Sequence, residues 1–272
     1  MLLYIKTIPK SSSDMMMDTF IIGGFFMLNV DKVISEAVGW IKSTVKEAGA
    51  KGVVFGLSGG IDSAVVAALC KKAFPEDSLG VIMPCYSNPL DLEHALLVAE
   101  AIGLETKTVV LDQAFDTMKT VLGVQESDPR LAVANIKARL RMVTVYYNAG
   151  LRNYLVAGTG NRCELTIGYF TKYGDGGVDF MPLAGFVKNE VVELAYKLGI
   201  PEIVITKPPT AGLWENQSDE KEMGMNYEEL DNYILTGNAE EHIKNKVDGM
   251  YQRSTHKRVP APKFVPTEKG NI

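Results

Sequence analysis

The sequence predicts an α/β protein built on a doubly wound parallel sheet, with helices flanking it on both faces. Three observations predict this. Short β-branched apolar runs alternate with segments of helical period from Asp31 onward. A run of small residues, Gly56-Leu57-Ser58-Gly59-Gly60-Ile61-Asp62-Ser63, joins one such strand to one such helix. A second polar, glycine-bearing segment, 158–164, follows a later strand in the same way. Parallel strands need crossovers that lay helices on both sheet faces, and ligands then bind at the carboxyl ends of the strands.

The elements follow in order. Val33, Ile34, Val38, Ile41 and Val45 make one apolar helix face, with Asp31 placed to cap it. A strand over 51–57 leads through the small-residue loop into a helix over 62–74, opened by Asp62 and Ser63. A strand over 79–83 stops at Pro84, a helix covers 91–102, and a strand follows at 106–111. Asp128 and Pro129 begin a long helix that runs to about Asn148, and residues 154–158 read as a further strand. Beyond residue 165, glycines crowd at 174–177 and prolines stand at 201, 208 and 209, interrupted by helices over 187–198, 226–235 and 238–252. Long irregular stretches in a compact protein are usually lids or disordered segments, so residues 206–224 and 84–90 are expected to be mobile without ligand.

Residues 28–272 are read as one domain, and residues 1–27 as an extension ahead of a start at Met27. The apolar run 20–27 is far shorter than the ~20 residues of a membrane span. A polar stretch separates it from Lys6 and Lys10, and no small-residue cleavage site follows, which argues against a signal peptide. Over 272 residues, 46% hydrophobic content supplies an ample core. A net charge of −5 gives no basic field for nucleic acid or an acidic membrane. Cys70, Cys85 and Cys163 are scattered, which suits a reducing cytoplasm, and His94, His242 and His256 are isolated, so no zinc spacing exists.

The loop at 56–63 is built to hold phosphate. Two adjacent glycines let the backbone approach an anion, and the helix start behind them offers unpaired N–H groups and a positive dipole end. Asp62 would repel phosphate unless a cation lay between them, and a shared Mg²⁺ resolves that conflict. The spacing is not that of a Walker A loop. Nor is 158–163 a dinucleotide fingerprint, because Cys163 stands where a third glycine belongs. Glu164 leaves a strand end near Asp62 and is placed to be a second metal carboxylate, although a glutamate in a polar turn is more often a solvated charge. Asn135 and Arg139, four apart, project from one helix face, and an arginine fork suits pyrophosphate or carboxylate. Lys188 opens an amphipathic helix, and His256 and Lys257 sit in a basic tail that would otherwise read as a plain charge run.

Four motifs together resemble one family. Gly-Leu-Ser-Gly-Gly-Ile-Asp-Ser (56–63), Gly-Tyr-Phe-Thr-Lys-Tyr-Gly-Asp-Gly-Gly (168–177), Lys-Pro-Pro-Thr-Ala (207–211) and Thr-His-Lys-Arg (255–258) occur in the order seen in ammonia-dependent NAD⁺ synthetases. The resemblance spans roughly 28–265. The first motif is shared across ATP pyrophosphatases, whereas the 168–177 run is far more specific. It implies a Rossmann-like, adenine nucleotide α-hydrolase-like fold. It also implies a ligase that amidates deamido-NAD⁺ with ammonia through an adenylate, releasing AMP and pyrophosphate. By matching positions, Gly56, Leu57, Ser58, Gly59, Gly60, Ile61, Asp62 and Ser63 would cradle ATP, joined by Thr159, Lys188 and Thr210. Asp62 and Glu164 would hold Mg²⁺, and Arg139, Lys172, Asp179, His256 and Lys257 would bind deamido-NAD⁺. Lys188 and Asp175 would be catalytic, Asp175 as the partner of ammonia.

One departure stands out. Many bacterial members read Gly-Thr-Asp-His-Ala-Ala-Glu where this chain reads Gly-Thr-Gly-Asn-Arg-Cys-Glu (158–164), so any role of that Asp and His is lost here. Glutamine-using relatives carry an extra nitrilase-like domain, for which about 30 residues ahead of the first helix leave no room against a typical ~100. Free ammonia, or ammonia from a separate subunit, is therefore expected. The resemblance also implies a homodimer, with the tail near His256 completing the neighbour's site. Two other readings are another carboxylate-, carbonyl- or tRNA-adenylating pyrophosphatase and a nucleotide-binding module without chemistry. The 168–177 run and the absence of a basic patch speak against the first, and Asp62, Glu164 and Lys188 against the second.

Overall fold

A computed structural model describes residues 21–22, 25–26, 29–214 and 217–266. Of the expected N-terminal extension, only β1 (Ile21–Ile22) and β2 (Phe25–Phe26) fall within them, as an antiparallel pair; the rest lies outside the described residues. The chain then runs α1 (Val30–Glu47), β3 (Gly52–Gly56), α2 (Ile61–Ala73), β4 (Ser78–Ile82), α3 (Pro89–Ile102), β5 (Glu105–Thr108), α4 (Asp112–Leu122), α5 (Arg130–Arg152) and β6 (Tyr154–Val156). After β6 come α6 (Arg162–Ile167), α7 (Lys188–Leu198), α8 (Glu202–Ile205), α9 (Asp219–Met223), α10 (Tyr227–Thr236), α11 (Glu241–Arg253) and α12 (Thr255–Arg258).

β3 to β6 form one parallel sheet in the order β5-β4-β3-β6. Alternation along β3 decides the layers, because successive side chains of a strand point to opposite faces. Val53 and Phe55 pack with Ile41 and Val45 of α1, the apolar length of α2, and Val191 and Leu194 of α7. Val54 points the other way, to Phe115 of α4 and Val145 and Ala149 of α5. Helices thus cover both faces, as the sequence predicts. A third apolar cluster joins α6 and α7 to Tyr227 and Leu230 of α10 and Ile243 and Val247 of α11. The strand order reverses between β3 and β6, so the loops leaving their carboxyl ends, 57–60 and 157–161, open side by side at the switch point. Among the described residues no helix is long and apolar enough to cross a membrane.

The structure corrects several details. α1 begins two residues earlier than a cap at Asp31 implies, so Asn29 is the cap and accepts the Lys32 N–H at 3.2 Å. Asp31 lies inside the first turn and pairs with Lys197 Nζ at 2.8 Å. α2 starts from Gly60 with no side-chain cap; Ser63 Oγ instead turns back to donate to the Gly60 carbonyl at 2.9 Å. The strand expected at 106–111 is only Glu105–Thr108, and the helix that follows, α4, buries a single residue, Phe115, although Ala114, Met118, Val121 and Leu122 share its face. Part of the stretch 206–224 is helical: α9 is tied down by the buried side chains of Asp219 and Met223.

Gly59 decides the shape of the small-residue loop. Its φ of +77° is the left-handed region, and a Cβ there would collide with the backbone carbonyl of Asp91 in the first turn of α3. Gly103, the C-cap of α3, is also left-handed (φ +63°), but nothing lies within 4 Å of its missing Cβ. Gly103→Ala should therefore lose only the conformational term of roughly 1–2 kcal/mol, while Gly59→Ala loses clearly more. Equal urea midpoints for the two variants would show that the loop yields without cost.

Candidate active site

The site is assembled where the loops after β3 and β6 meet the first turn of α7. Ser58 and Ser63 brace the first loop from within: Ser63 Oγ accepts the Ser58 N–H at 3.2 Å, the two hydroxyls lie 3.0 Å apart, and Ser58 Oγ accepts the Gly60 N–H at 3.3 Å. The first amides of α2 are left without intrahelical acceptors, as at any helix start, and face the open side of the loop.

Asp62, in the first turn of α2, is held from two sides. Lys188 Nζ donates to Oδ2 at 2.5 Å, and the Asn161 side-chain amide donates to Oδ1 at 2.9 Å. Burial opposes the charge of Lys188, but Asp62 and Glu164 outweigh it and hold the ammonium above its ordinary pKa. Its Nζ also lies 5.1 Å above the Tyr227 ring. Lys188 is fixed through its backbone, because the buried Asp231 of α10 accepts the N–H groups of Lys188 and Asn189 at 3.2 and 2.8 Å. A carboxylate at the positive end of a helix dipole sits favourably. Asp231 also accepts from Cys163 Sγ at 2.9 Å, locking α6, α7 and α10 together.

Glu164 lies in the first turn of α6, capped by Asn161 in a reciprocal box: Asn161 Oδ1 accepts the Glu164 N–H at 3.1 Å, and Glu164 Oε2 accepts the Asn161 N–H at 3.0 Å. Glu164 is half-buried, and this burial together with the charge of Asp62 pushes its carboxyl up to about 8, against the relief from Lys188. Two carboxylates driven to repel one another beside helix amides are a donor set that suits a hard cation with phosphate and water as its remaining ligands. Among the described residues no group of three or more His, Cys, Asp or Glu side chains is arranged to hold a metal ion.

A second group lies beside the first. Asp175 accepts the Thr171 N–H at 2.9 Å, while Thr171 Oγ1 donates to Asn135 Oδ1 at 2.7 Å. Asp175 stays open to solvent yet is enclosed on most sides, and that enclosure raises its carboxyl pKa, with the Thr171 N–H and Lys257 opposing. Lys257 Nζ donates to the carbonyls of Gly168 and Phe170, both at 2.7 Å, and its burial lowers its pKa. Lys172 Nζ reaches the His256 carbonyl at 2.6 Å, and Arg139 reaches the Lys172 carbonyl at 3.3 Å. The 168–177 run thus draws Arg139, Lys172, Lys257 and the His256 backbone together near Asp175.

Three expected residues stand apart from these contacts. Asp179 is engaged at the sheet edge by the Val156 N–H (2.7 Å) and Tyr146 Oη (3.0 Å). Thr210 Oγ1 accepts only the Gly212 N–H (3.2 Å), and Thr159 occupies the turn after β6 with no hydrogen bond among the described residues. Sequence reasoning missed Asn161, Asp231 and the Lys207–Asp91 pair at 2.6 Å, which ties 207–211 to the first loop. For Asn161 the signal was present, an Asn three residues ahead of a Glu. For Asp231 there was none, since its partners lie in other helices.

The Glu164 shift has a measurable consequence. A carboxyl at about 8 in the folded chain and near its ordinary value of 4.5 when unfolded binds more protons folded than unfolded between those values. Stability without divalent cations should therefore fall as pH rises from about 5 to 8. Glu164→Gln keeps the cap and removes the titration, so it should gain stability over the parent at pH 8 and show little gain at pH 5. Urea unfolding in chelator checks this; a Gln variant less stable at pH 8 would contradict it.

Comparison with known proteins agrees with this geometry. The family model for NAD synthase matches residues 33–261. The NH₃-dependent NAD⁺ synthetase of Carboxydothermus hydrogenoformans is 51% identical over 236 residues, covering 86% of this chain and 97% of that one. Among solved structures, NMN synthetase from Francisella tularensis superposes with a TM-score of 0.83 at 33% identity, over 89% of this chain and all of that one. The NH₃-dependent NAD synthetase of Campylobacter jejuni gives 0.73 at 31%, over 88% and 100%. With a phosphate-type loop, two carboxylates and a lysine at the switch point of the sheet, the chain belongs to the NAD synthase family.

Proposed function

We propose that this protein amidates deamido-NAD⁺ to NAD⁺, consuming ATP and ammonia and releasing AMP and pyrophosphate. The observation that carries this is the joining of Asp62, Lys188 and Glu164 at the amino end of α2, beside the Asp175 group of the 168–177 run. A nicotinate carboxylate oxygen attacks the α-phosphorus of ATP, and the bond from that phosphorus to the bridging oxygen breaks as pyrophosphate leaves. Ammonia then attacks the acyl carbon, loses a proton, and AMP departs.

The loop 56–63 and the α2 amides face the phosphates, with Thr159 and Thr210 at the rim of the ATP site. Lys188 supplies the positive charge that offsets the negative charge gathering on the pyrophosphate. Asp62 and Glu164 hold Mg²⁺, which supplies Lewis-acid polarisation of phosphoryl oxygens. Arg139, Lys172, Asp179, His256 and Lys257 bind deamido-NAD⁺. Asp175, its basicity raised by enclosure, orients ammonium and takes its proton. A second reading, with a mononucleotide as the acid amidated, is favoured only by the likeness to the Francisella NMN synthetase.

AMP release should require deamido-NAD⁺ and ammonium together, with a kcat/KM well above that for nicotinate mononucleotide. The reverse preference would select the second reading, and release without either acid would reject both. Asp62→Asn should lower turnover roughly 100-fold or more, the scale of losing a preorganised charge-stabilising contact.

Residues 28–272 act as one unit, as a homodimer in the cytoplasm, with no nucleic-acid or membrane partner. The net charge of −5 and three buried free thiols accord with this. For the dimer, Val143, Tyr147 and Leu151 are 59–64% exposed at four-residue spacing, an apolar stripe along α5. Tyr147→Asp should convert the dimer to monomer in analytical ultracentrifugation; a parent chain that sediments as a monomer would dismiss the arrangement.

A further inference from the structure

Asn161 is the residue at which this chain departs from the Asp-His pattern of many relatives, and the structure gives it an unusual number of partners for a fully buried side chain. Its amide NH₂ donates to Asp62 Oδ1 at 2.9 Å. Its carbonyl accepts the Glu164 N–H at 3.1 Å, and its own backbone N–H donates to Glu164 Oε2 at 3.0 Å. The carbonyl's engagement with the Glu164 N–H fixes which end of the amide faces Asp62. One residue therefore orients both carboxylates of the site, one on α2 and one on α6.

We infer that Asn161 is the positioning residue of the divalent-cation site, setting the direction of Asp62 and Glu164 without adding charge. This rests on the proposed role of those two carboxylates. Asn161 holds Asp62 through Oδ1, and with Oε2 of Glu164 taken by the Asn161 N–H, Oε1 is left for a ligand. Mg²⁺ demands near-octahedral placement of its oxygens, so fixed carboxylates lower the cost of binding it. A neutral amide is the donor suited to the task. A protonated histidine or a second lysine would hold Asp62 equally well but would repel the incoming cation, whereas an aspartate would turn no donor toward Asp62 at all.

The capping role separates cleanly from the positioning role. Serine is as good a helix cap as asparagine, so Asn161→Ser keeps α6 in place, but its short side chain cannot reach Asp62. The test uses full-length protein and Mn²⁺ as the probe, titrated by electron paramagnetic resonance with a non-hydrolysable ATP analogue present. The parent should bind Mn²⁺ at one site lost in Asp62→Asn. Asn161→Ser should bind it 10–100-fold more weakly, the range seen when an outer partner of a metal ligand is removed, with an unchanged melting temperature. Its activation by Mg²⁺ should shift to higher concentration by the same factor while the KM for deamido-NAD⁺ holds. Parent-like Mn²⁺ affinity in Asn161→Ser, with the site lost in Asp62→Asn, overturns the role of Asn161 alone. No Mn²⁺ site in the parent overturns the metal reading and this inference with it. Should Asn161→Ser melt early, Asn161→Thr, which also caps the helix, adds no charge and cannot reach Asp62, takes its place under the same expectation.

Discussion

The structure is organised around a charge problem at the strand tips. Asp62 and Glu164 sit close enough for one to disfavour ionisation of the other, in a place where burial already disfavours it. Lys188 is the answer built into the fold. A buried ion pair is not a cheap source of stability, but removing one partner strands the other and costs about 3–5 kcal/mol. The rest of the edge follows from keeping that lysine in place: α7 begins at Lys188, its first amides are held by Asp231, and Asp231 is carried on α10 within the apolar cluster of α6, α7, α10 and α11. The helices after β6 are therefore the frame that brings the lysine ammonium to the sheet end where Asp62 and Glu164 stand in the first turns of α2 and α6.

The sheet and both loops were legible because their signals are local. β3 and β4 are almost wholly buried apolar runs, and two glycines ahead of an Asp-Ser pair leave few alternatives for the loop. α6 was not legible as a helix, because six residues give too little period to detect. α4 was legible and passed over: Ala114, Phe115, Met118, Val121 and Leu122 recur at helical spacing, although only Phe115 is buried. In the site, Asp62, Glu164 and Lys188 were found by motif and do meet. Asp231 was not, and Lys207, though it opens the 207–211 motif, was given no partner, since each acts through a residue far along the chain, at separations of 43 and 116. Pairings made only by packing leave no mark on spacing.

The motif 207–211 shows how the later half of the chain is tied to the first loop. Lys207 pairs with Asp91 at the start of α3 and reaches the Gly59 carbonyl at 3.5 Å, while the Ala211 N–H donates to Asp219 at 2.8 Å. Tyr169 in turn donates to Asp219 at 3.1 Å and to Glu222 at 2.5 Å. A strap therefore runs from the phosphate-type loop through 207–211 to α9 and on to the start of the 168–177 run. Two stretches far apart in sequence, each recognisable as a motif, are neighbours because Asp219 is buried and must satisfy its carboxylate.

The position of Lys188 also bears on how a triphosphate could enter so acidic a site. In the present arrangement its ammonium neutralises Asp62, so the pair together carries little net charge. On the proposed reading, a nucleotide arriving with a divalent cation brings opposite charges in one unit. Asp62 and Glu164 would hold that cation, leaving the Lys188 ammonium free to turn toward phosphate oxygens. Each charge then exchanges one partner for another, and none is left bare in a low-dielectric setting, where an unpaired charge is most costly. A site with the same carboxylates and no lysine would hold them apart or protonated until the cation came. One with the lysine and no carboxylates would bind the phosphates but give the cation no anchor. On the proposed reading, the ion pair at 2.5 Å is the resting form of that exchange.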